Sequence, residues 1–320
     1  MDFQLDETQR EIATLAADVL GRESATPWKA LGEAGLLALA VPERLGGDGL
    51  GVLETAVLLT EVGRRAVEVP ALATLALGVL PIVRYGTPEQ QDALLPLVTE
   101  QHGVLTAALS EPSRPLPSEP ETTAGPDGIS GVKINVPYAA EARRILVSTN
   151  NGVFVVDPAQ PGVSTSDGTV RLDGAQGELL EGAEAGIRRF ALAGAAAVAD
   201  GVLAGPLDLT VKHVGTRHQF GKPLATFQTA ACLVADVYIA SRTLHLAALT
   251  AAWSLDDNDL DTAAYWLAAE ALPAVHTCHH LHGGLGLDIT YPMHRYYGMA
   301  KELTRFVGGV EHRLGAIDVH

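Results

Sequence analysis

A change of texture in the middle of the chain constrains its fold more than any other feature. From Leu5 to about Gln101, apolar residues recur at spacings of three and four, as in "TQREIATLAADVL" and "GVLETAVLLTEVGRR", the period of amphipathic helices. "TPEQQDALLPLVTEQ" adds a threonine cap with proline in the first turn, and the proline- and glycine-punctuated "GLLALAVPERLGGDGLG" reads as a loop. From Val104 to about Ile187 that period is lost. "GISGVKINVPYA", "RRILVST" and "NGVFVVDP" are short, β-branched and bounded by turn residues, which predicts strands. "LSEPSRPLPSEPETTAGPDG" is rich in proline and serine and reads as irregular. Roughly eighty residues are enough for a small barrel or sandwich. Helices return near Phe190 in "ALAGAAAVADGVLAGPLDLTVKHVGTR", "TAACLVADVYIASRTLHLAALTAAWSL" and "LDTAAYWLAAEALPAVHTCHHLHG". Their length and small residues fit a four-helix bundle. The expected class is α+β, mainly α, divided into 1–103, 104–187 and 188–320.

Apolar residues make up 47% of the chain and charged ones 19%, so a sizeable core is expected. A formal charge of −16 argues against a nucleic-acid partner, because such a surface releases no counterions from a polyanion, and against anionic membranes. Two cysteines, Cys232 and Cys278, give no disulfide framework and suit a reducing compartment. The amino terminus "MDFQLDETQREIA" is acidic and unlike a signal peptide, and no apolar run reaches the roughly 20 residues of a membrane span. A soluble cytoplasmic protein is expected.

Three motifs carry chemistry. In "HTCHHLHGGLGLD" the pairs His276/His280 and Cys278/His282 are each four apart, and each pair lies on one helical face. The two faces differ, whereas zinc needs three or four converging ligands, so no metal is expected. "GGLG" follows a helix rather than a strand, unlike a dinucleotide fingerprint, yet its glycines supply a left-handed cap and admit close approach of backbone or phosphate. "GGDGLG" (46–51) is a second glycine loop between helices. In "TRHQFGKPLATFQ", Arg217 and Gln219 offer a guanidinium and an amide to a pyrophosphate beside Phe220. The plainer reading is a helical corner broken at Gly221 and Pro223.

"RHQFGKPLATFQ" resembles the signature of the acyl-CoA dehydrogenases, "HLHGGLGLDITYPMHR" their carboxy-terminal motif, and "LGEAGLLALAVPERLGGDGLG" their amino-terminal segment. The resemblance covers nearly the whole chain, in the family's order. It implies the acyl-CoA dehydrogenase fold: an N-terminal helical domain, a central small β domain and a C-terminal four-helix bundle. It also implies FAD, tetrameric assembly, and oxidation of an acyl-CoA to its enoyl-CoA with electrons passed to an electron-transfer acceptor. By the same resemblance Arg217, Phe220, Gln228, His280, Gly283 and Gly284 contact an FAD held mainly by a neighbouring subunit, and the Gln219 amide is expected at the same cofactor. His280 departs from the family's usual glutamine, though imidazole still donates one hydrogen bond.

Dehydrogenation requires a carboxylate to remove the α-proton while the β-hydride leaves for the flavin. The family's glutamate position two dozen residues beyond the paired glycines falls on Val307, and its flavin-contacting threonine on Gly309. The alternative glutamate position, 26 residues before the signature arginine, is Ala191, with Leu192 where an arginine usually follows. The flavin-lining run of the β domain becomes "SEPSRPLPS" from Ser110, and the second run becomes "NVPY", where Pro137 removes a backbone N–H. Features serving this chain's own flavin are missing and those extended to a neighbour remain. The pattern resembles the shorter, base-lacking subunit of heterotetrameric acyl-CoA dehydrogenases of bacterial steroid side-chain degradation, which pairs with a catalytically complete subunit, two copies of each. Two alternatives stay open: a self-sufficient homo-oligomer using Glu311, four residues past Val307 on a shared helical face, and a non-catalytic scaffold.

Overall fold

A computed structural model describes residues 3–22 and 24–317; Met1 and Asp2 of the acidic amino terminus lie outside them. The chain packs as two compact units, one of Met1–Gly21, Ala56–Glu68 and Ala195–His320, the other of Arg22–Thr55 and Val69–Gly194.

The elements begin with α1 (Glu7–Leu20), α2 (Pro27–Glu33), α3 (Val52–Arg64), a π-helical segment (Leu72–Val79), α4 (Leu80–Tyr85), α5 (Pro88–Leu94) and α6 (Pro96–Thr99). Capping boxes start two of them. Asp6 accepts from the Gln9 N–H while Gln9 reaches back to the Asp6 N–H, and Thr87 and Gln90 do the same before α5, with Pro88 in the first turn. Each box satisfies two backbone donors that a helix start leaves open.

Eight strands follow: β1 (Val104–Ala108), β2 (Thr123–Gly125), β3 (Gly128–Lys133), β4 (Ala142–Thr149), β5 (Gly152–Val156), β6 (Val163–Ser166), β7 (Thr169–Ala175) and β8 (Gly177–Leu180). They form two four-stranded sheets, ordered β1-β4-β5-β8 and β2-β3-β7-β6. Only the β1–β4 pair is parallel. Ile145, Val147 and Val156 of the first sheet share one core cluster with Ile129, Val170 and Leu172 of the second, as in a sandwich. Strand β2 lies inside the stretch expected to be irregular. Its backbone pairs with β3 from Thr123↔Ser130 to Gly125↔Gly128, and that ladder outweighs the weak strand propensity of its residues.

The remaining elements are α7 (Glu184–Thr216), β9 (His218–Gln219), β10 (Lys222–Pro223), α8 (Gln228–Ser254), α9 (Asp257–His282), α10 (Met293–Phe306) and α11 (Gly309–Leu314). Within the helical unit α3 and α7 touch backbone to backbone: a Cβ on Gly201 would lie 1.9 Å from the Thr60 carbonyl oxygen. Glycine is therefore required there. Buried Asp200 faces His245 of α8, its carboxylate 2.9 Å from Nδ1.

The expectation that no helix could span a bilayer is corrected. Glu184–Thr216 and Gln228–Ser254 are both long and apolar enough by length and composition. Scattered polar residues such as Asp200 and Asp208 interrupt the apolar run of α7 without removing its overall apolar character. The most apolar window of α7 is 94% buried in the protein, whereas that of α8 is only 28% buried. Helix α7 is thus a core helix, and α8 presents a largely uncovered face.

Candidate functional site

Helix α7 hands the chain to the β9–β10 hairpin, whose turn residues Phe220 and Gly221 both have positive φ, 52° and 78°. The helical corner expected at Gly221 and Pro223 is therefore a small hairpin. A left-handed phenylalanine is uncommon, and this one is 92% exposed. Its ring meets Phe227 edge-on at 6.2 Å, and the Lys222 ammonium lies 4.4 Å over the Phe227 ring. Arg217, Gln219 and Gln228 are all exposed. The Arg217 N–H donates to the His213 carbonyl at 2.8 Å, which ties this arginine to the last turn of α7.

Two imidazoles fasten the glycine motif beside that turn. His213 stacks on His282 with ring centroids 4.5 Å apart and planes 23° apart. His282 is buried, with Nδ1 2.8 Å from the Cys278 carbonyl and Nε2 2.9 Å from the Tyr291 hydroxyl. The carbonyl accepts only, so Nδ1 carries the proton and Nε2 accepts from Tyr291. Burial pushes the His282 imidazole below the ordinary histidine range, and neighbouring His213 and His279 push the same way against the Cys278 carbonyl. Burial lowers His213 too, with Arg217 adding to it. This pair of imidazoles is neutral packing.

After His282 the chain reaches Gly283 at φ 57°, ψ −133°, then a 3-10 turn, Gly283–Leu287. The expected left-handed cap is corrected: only the sign of φ is right, and this region of backbone space is open to glycine almost alone. A Cβ on Gly283 or Gly284 would meet nothing within 4 Å, whereas on Gly286 it would strike the His279 ring at 2.7 Å. His279 Nε2 lies 2.9 Å from the Gly286 carbonyl. Exposed His280 and His276 point away from buried Cys278 and His282. Burial pushes the Cys278 thiol up to about 11, so it stays protonated and is a poor metal ligand. Among the described residues no three histidine, cysteine or acidic side chains group as a metal site.

The expected base positions carry no acid. Val307, between α10 and α11, is 0% exposed, and its carbonyl accepts from Arg313 Nε, whose Nη1 bonds to Asp261. Gly308 turns the chain at φ 94°, so Glu311 does not share a helix with Val307, contrary to the sequence reading; it is exposed on α11. Ala191 and Leu192 are buried within α7. In the β domain the two runs matching the flavin-lining segments are committed internally. Leu116 is buried and its N–H donates to Ser110 Oγ at 3.2 Å, Val136 enters the sandwich core, and the Pro137 carbonyl accepts the Thr106 hydroxyl at 2.7 Å.

Glu111 of the same run binds inward. It accepts from Lys133 Nζ at 2.8 Å, and from the Thr122 hydroxyl and the Thr122 and Glu121 N–H groups. Burial alone would raise its pKa, but the Lys133 ammonium and these donors hold it at about 2. Sequence reasoning missed His213, Tyr291 and Arg313. The first had a signal, standing one helical turn before Arg217; Tyr291 reaches His282 across the turn that follows the glycines, and Arg313 depends on Asp261, fifty-two residues away.

A helical amino-terminal segment, a two-sheet insert and a long-helix carboxy-terminal segment with this exposed turn define a flavoprotein dehydrogenase fold. The chain belongs to the acyl-CoA dehydrogenase family: residues 6–102 match the acyl-CoA dehydrogenase N-terminal domain and residues 185–317 the C-terminal domain. It is 47% identical to acyl-CoA dehydrogenase FadE28 of Mycobacterium tuberculosis over 98% of this chain and 97% of that protein. Among solved structures it is similar to the Tcur3481–Tcur3483 steroid acyl-CoA dehydrogenase G363A variant, with TM-score 0.90 and 34% identity over 97% of this chain and 96% of that one. The ChsE4–ChsE5 complex of M. tuberculosis gives TM-score 0.90 and 29% identity over 99% and 98%. A glutaryl-CoA dehydrogenase of Mycobacterium smegmatis, in complex with FADH2, shares the fold at TM-score 0.84 and 19% identity over 98% and 94%.

Proposed function

We propose that this chain is the base-lacking subunit of a heteromeric, FAD-dependent acyl-CoA dehydrogenase, acting on a bulky acyl-CoA of the steroid side-chain type in the cytoplasm. A second, catalytically complete subunit supplies the carboxylate that takes the α-proton. One observation carries the reading: polar and aromatic groups at Arg217, Gln219, Phe220, Gln228 and His280 are turned to solvent beside open glycine backbone, while both expected base positions are buried and apolar. An isopropyl or methyl group cannot accept a proton.

The outward-facing residues fit a dinucleotide. Arg217 supplies a charge-assisted donor for a pyrophosphate, Phe220 a face for an apolar ring, and Gly283 and Gly284 room for close approach. Bound FAD supplies the hydride acceptor. The chain's own β-domain runs fit less well: Leu116 and Val136 are buried, the Leu116 N–H is bonded to Ser110 Oγ, the Pro137 carbonyl accepts from Thr106, and Pro137 carries no N–H to donate. Similarity to subunits of steroid-type complexes supports the partner and the substrate class. The acidic composition and unpaired Cys232 and Cys278 support the compartment.

Purification of the chain alone and after co-expression with its partner tests the reading by flavin absorbance. Little flavin is expected on the isolated chain and one FAD per heterodimer in the complex. Stoichiometric flavin with thioester oxidation by the single chain would reject it.

A further inference from the structure

The solvent-facing groups assigned to the cofactor stand on two segments that leave different helices. Arg217 and Phe220 follow α7, and Gly283 and Gly284 follow α9. A dinucleotide gripped by both needs them held at a fixed separation. The contact that links their helix ends is the His213–His282 stack, 4.5 Å between ring centroids.

Each ring is tied to its own segment. The His213 carbonyl accepts the Arg217 N–H at 2.8 Å, and the Arg217 carbonyl accepts the Leu224 N–H at 2.8 Å. The turn that carries the His213 ring therefore also sets the base of the β9–β10 hairpin. His282 has both nitrogens engaged by complementary partners, the Cys278 carbonyl at Nδ1 and the Tyr291 hydroxyl at Nε2, which admits one tautomer and one ring orientation. The Tyr291 bond closes the loop 283–290 at its two ends, and His279 Nε2 holds its middle at the Gly286 carbonyl, 2.9 Å away. Farther back on the same two helices, Thr210 meets the Cys278 thiol. The helices thus stay joined when the rings change, and the stack acts on the ends beyond that point.

We propose that His213, His282 and Tyr291 are positioning residues: through the ring stack they hold Arg217 and the Gly283–Gly284 backbone in register for a single dinucleotide. The identity of that ligand rests on the subunit reading, whereas the coupling between the two segments belongs to this chain alone.

Deuterium exchange of the isolated chain tests the coupling. His213→Ala removes the stack and should speed exchange roughly fivefold in 283–290, and Tyr291→Phe removes one hydrogen bond and should do the same in 214–220. Exchange in the β domain should not change. His213→Phe keeps an aromatic face and should restore the wild-type rate. In the co-expressed complex, FAD titration followed by flavin fluorescence should show binding weakened by a similar factor in His213→Ala and Tyr291→Phe. His213→Phe should bind FAD as the wild type does, a rescue that a general loss of stability would not produce. Faster exchange confined to the segment that carries each substitution, or FAD affinity unmoved by His213→Ala in a complex that holds FAD, would overturn the proposal. A wild-type complex without flavin would instead count against the subunit reading, and the exchange of the isolated chain would still decide the coupling.

Discussion

Lys133 is 0% exposed and meets Glu111, 2% exposed, and burial lowers its pKa against the attraction of that carboxylate. A buried pair of this kind is more dangerous to break than it is helpful to own. Lys133→Met leaves Glu111 without its ammonium and should destabilise the chain by about 3–5 kcal/mol, read as a shift in the urea midpoint at constant slope. The same carboxyl sets an acid limit. Its folded pKa of about 2 lies below the unfolded value, so its contribution is full above the ordinary carboxylate range and is lost as pH falls toward 2. His282 acts in a higher window with the same sign. Its folded pKa is depressed, so the unfolded chain takes up a proton first and stability declines as pH drops below the unfolded histidine value, about 6.5. Thermal melts of the wild type should therefore lose midpoint between pH 7.5 and 5.5. His282→Gln should melt lower at pH 7.5, from loss of the Tyr291 and Cys278 bonds, and show a flatter dependence; equal slopes would remove His282 as the titrating group.

At the scale of elements, the His213–His282 stack joins the last turns of α7, from which the β9–β10 hairpin leaves, to the end of α9. An aromatic ring 92% exposed at a positive-φ turn gains about 1.5–3 kcal/mol if a partner covers it. Phe220→Ala should leave the melting temperature of the isolated chain nearly unchanged and lower the flavin content of the reconstituted complex. Arg217→Ala should lower it further, and unchanged flavin in both would favour a scaffold. Much of this was legible beforehand. The threonine-proline start of α5, the long helices and the three quoted strands follow from local periodicity and capping, which depend on neighbours in sequence. The exposed Arg217–Gln228 surface was found through its motif. Strands β6 to β8 were not called out by their residues, since "TVRLDGA" and "GELL" mix charges and glycine into the apolar pattern. The break at Gly308, which separates Glu311 from Val307, was missed because the Arg313–Asp261 clamp that fixes it joins residues fifty-two apart.

For the whole molecule, the decisive surface is α8. Ile239, Leu246 and Trp253 are 62%, 40% and 64% exposed, and they are spaced seven apart, which places them in one stripe along the helix. Exposed Leu285, Leu287 and Ile289 follow the glycine motif. A stripe of this kind in a monomer marks an interaction surface, and an obligate interface is expected to be apolar in this way. Leu246→Glu places a carboxylate in the middle of the stripe without touching the core of the chain. It should leave the isolated chain folded, since Leu246 is exposed already, and prevent association with the partner subunit, seen as two separate species by light scattering. If the proposed heteromeric reading holds, flavin and thioester oxidation should then fall together, because Arg217 and Phe220 would no longer reach a neighbour. Assembly at wild-type affinity in Leu246→Glu would mean that α8 faces something else, and would leave Arg217 and Phe220 without a route to a second subunit's cofactor.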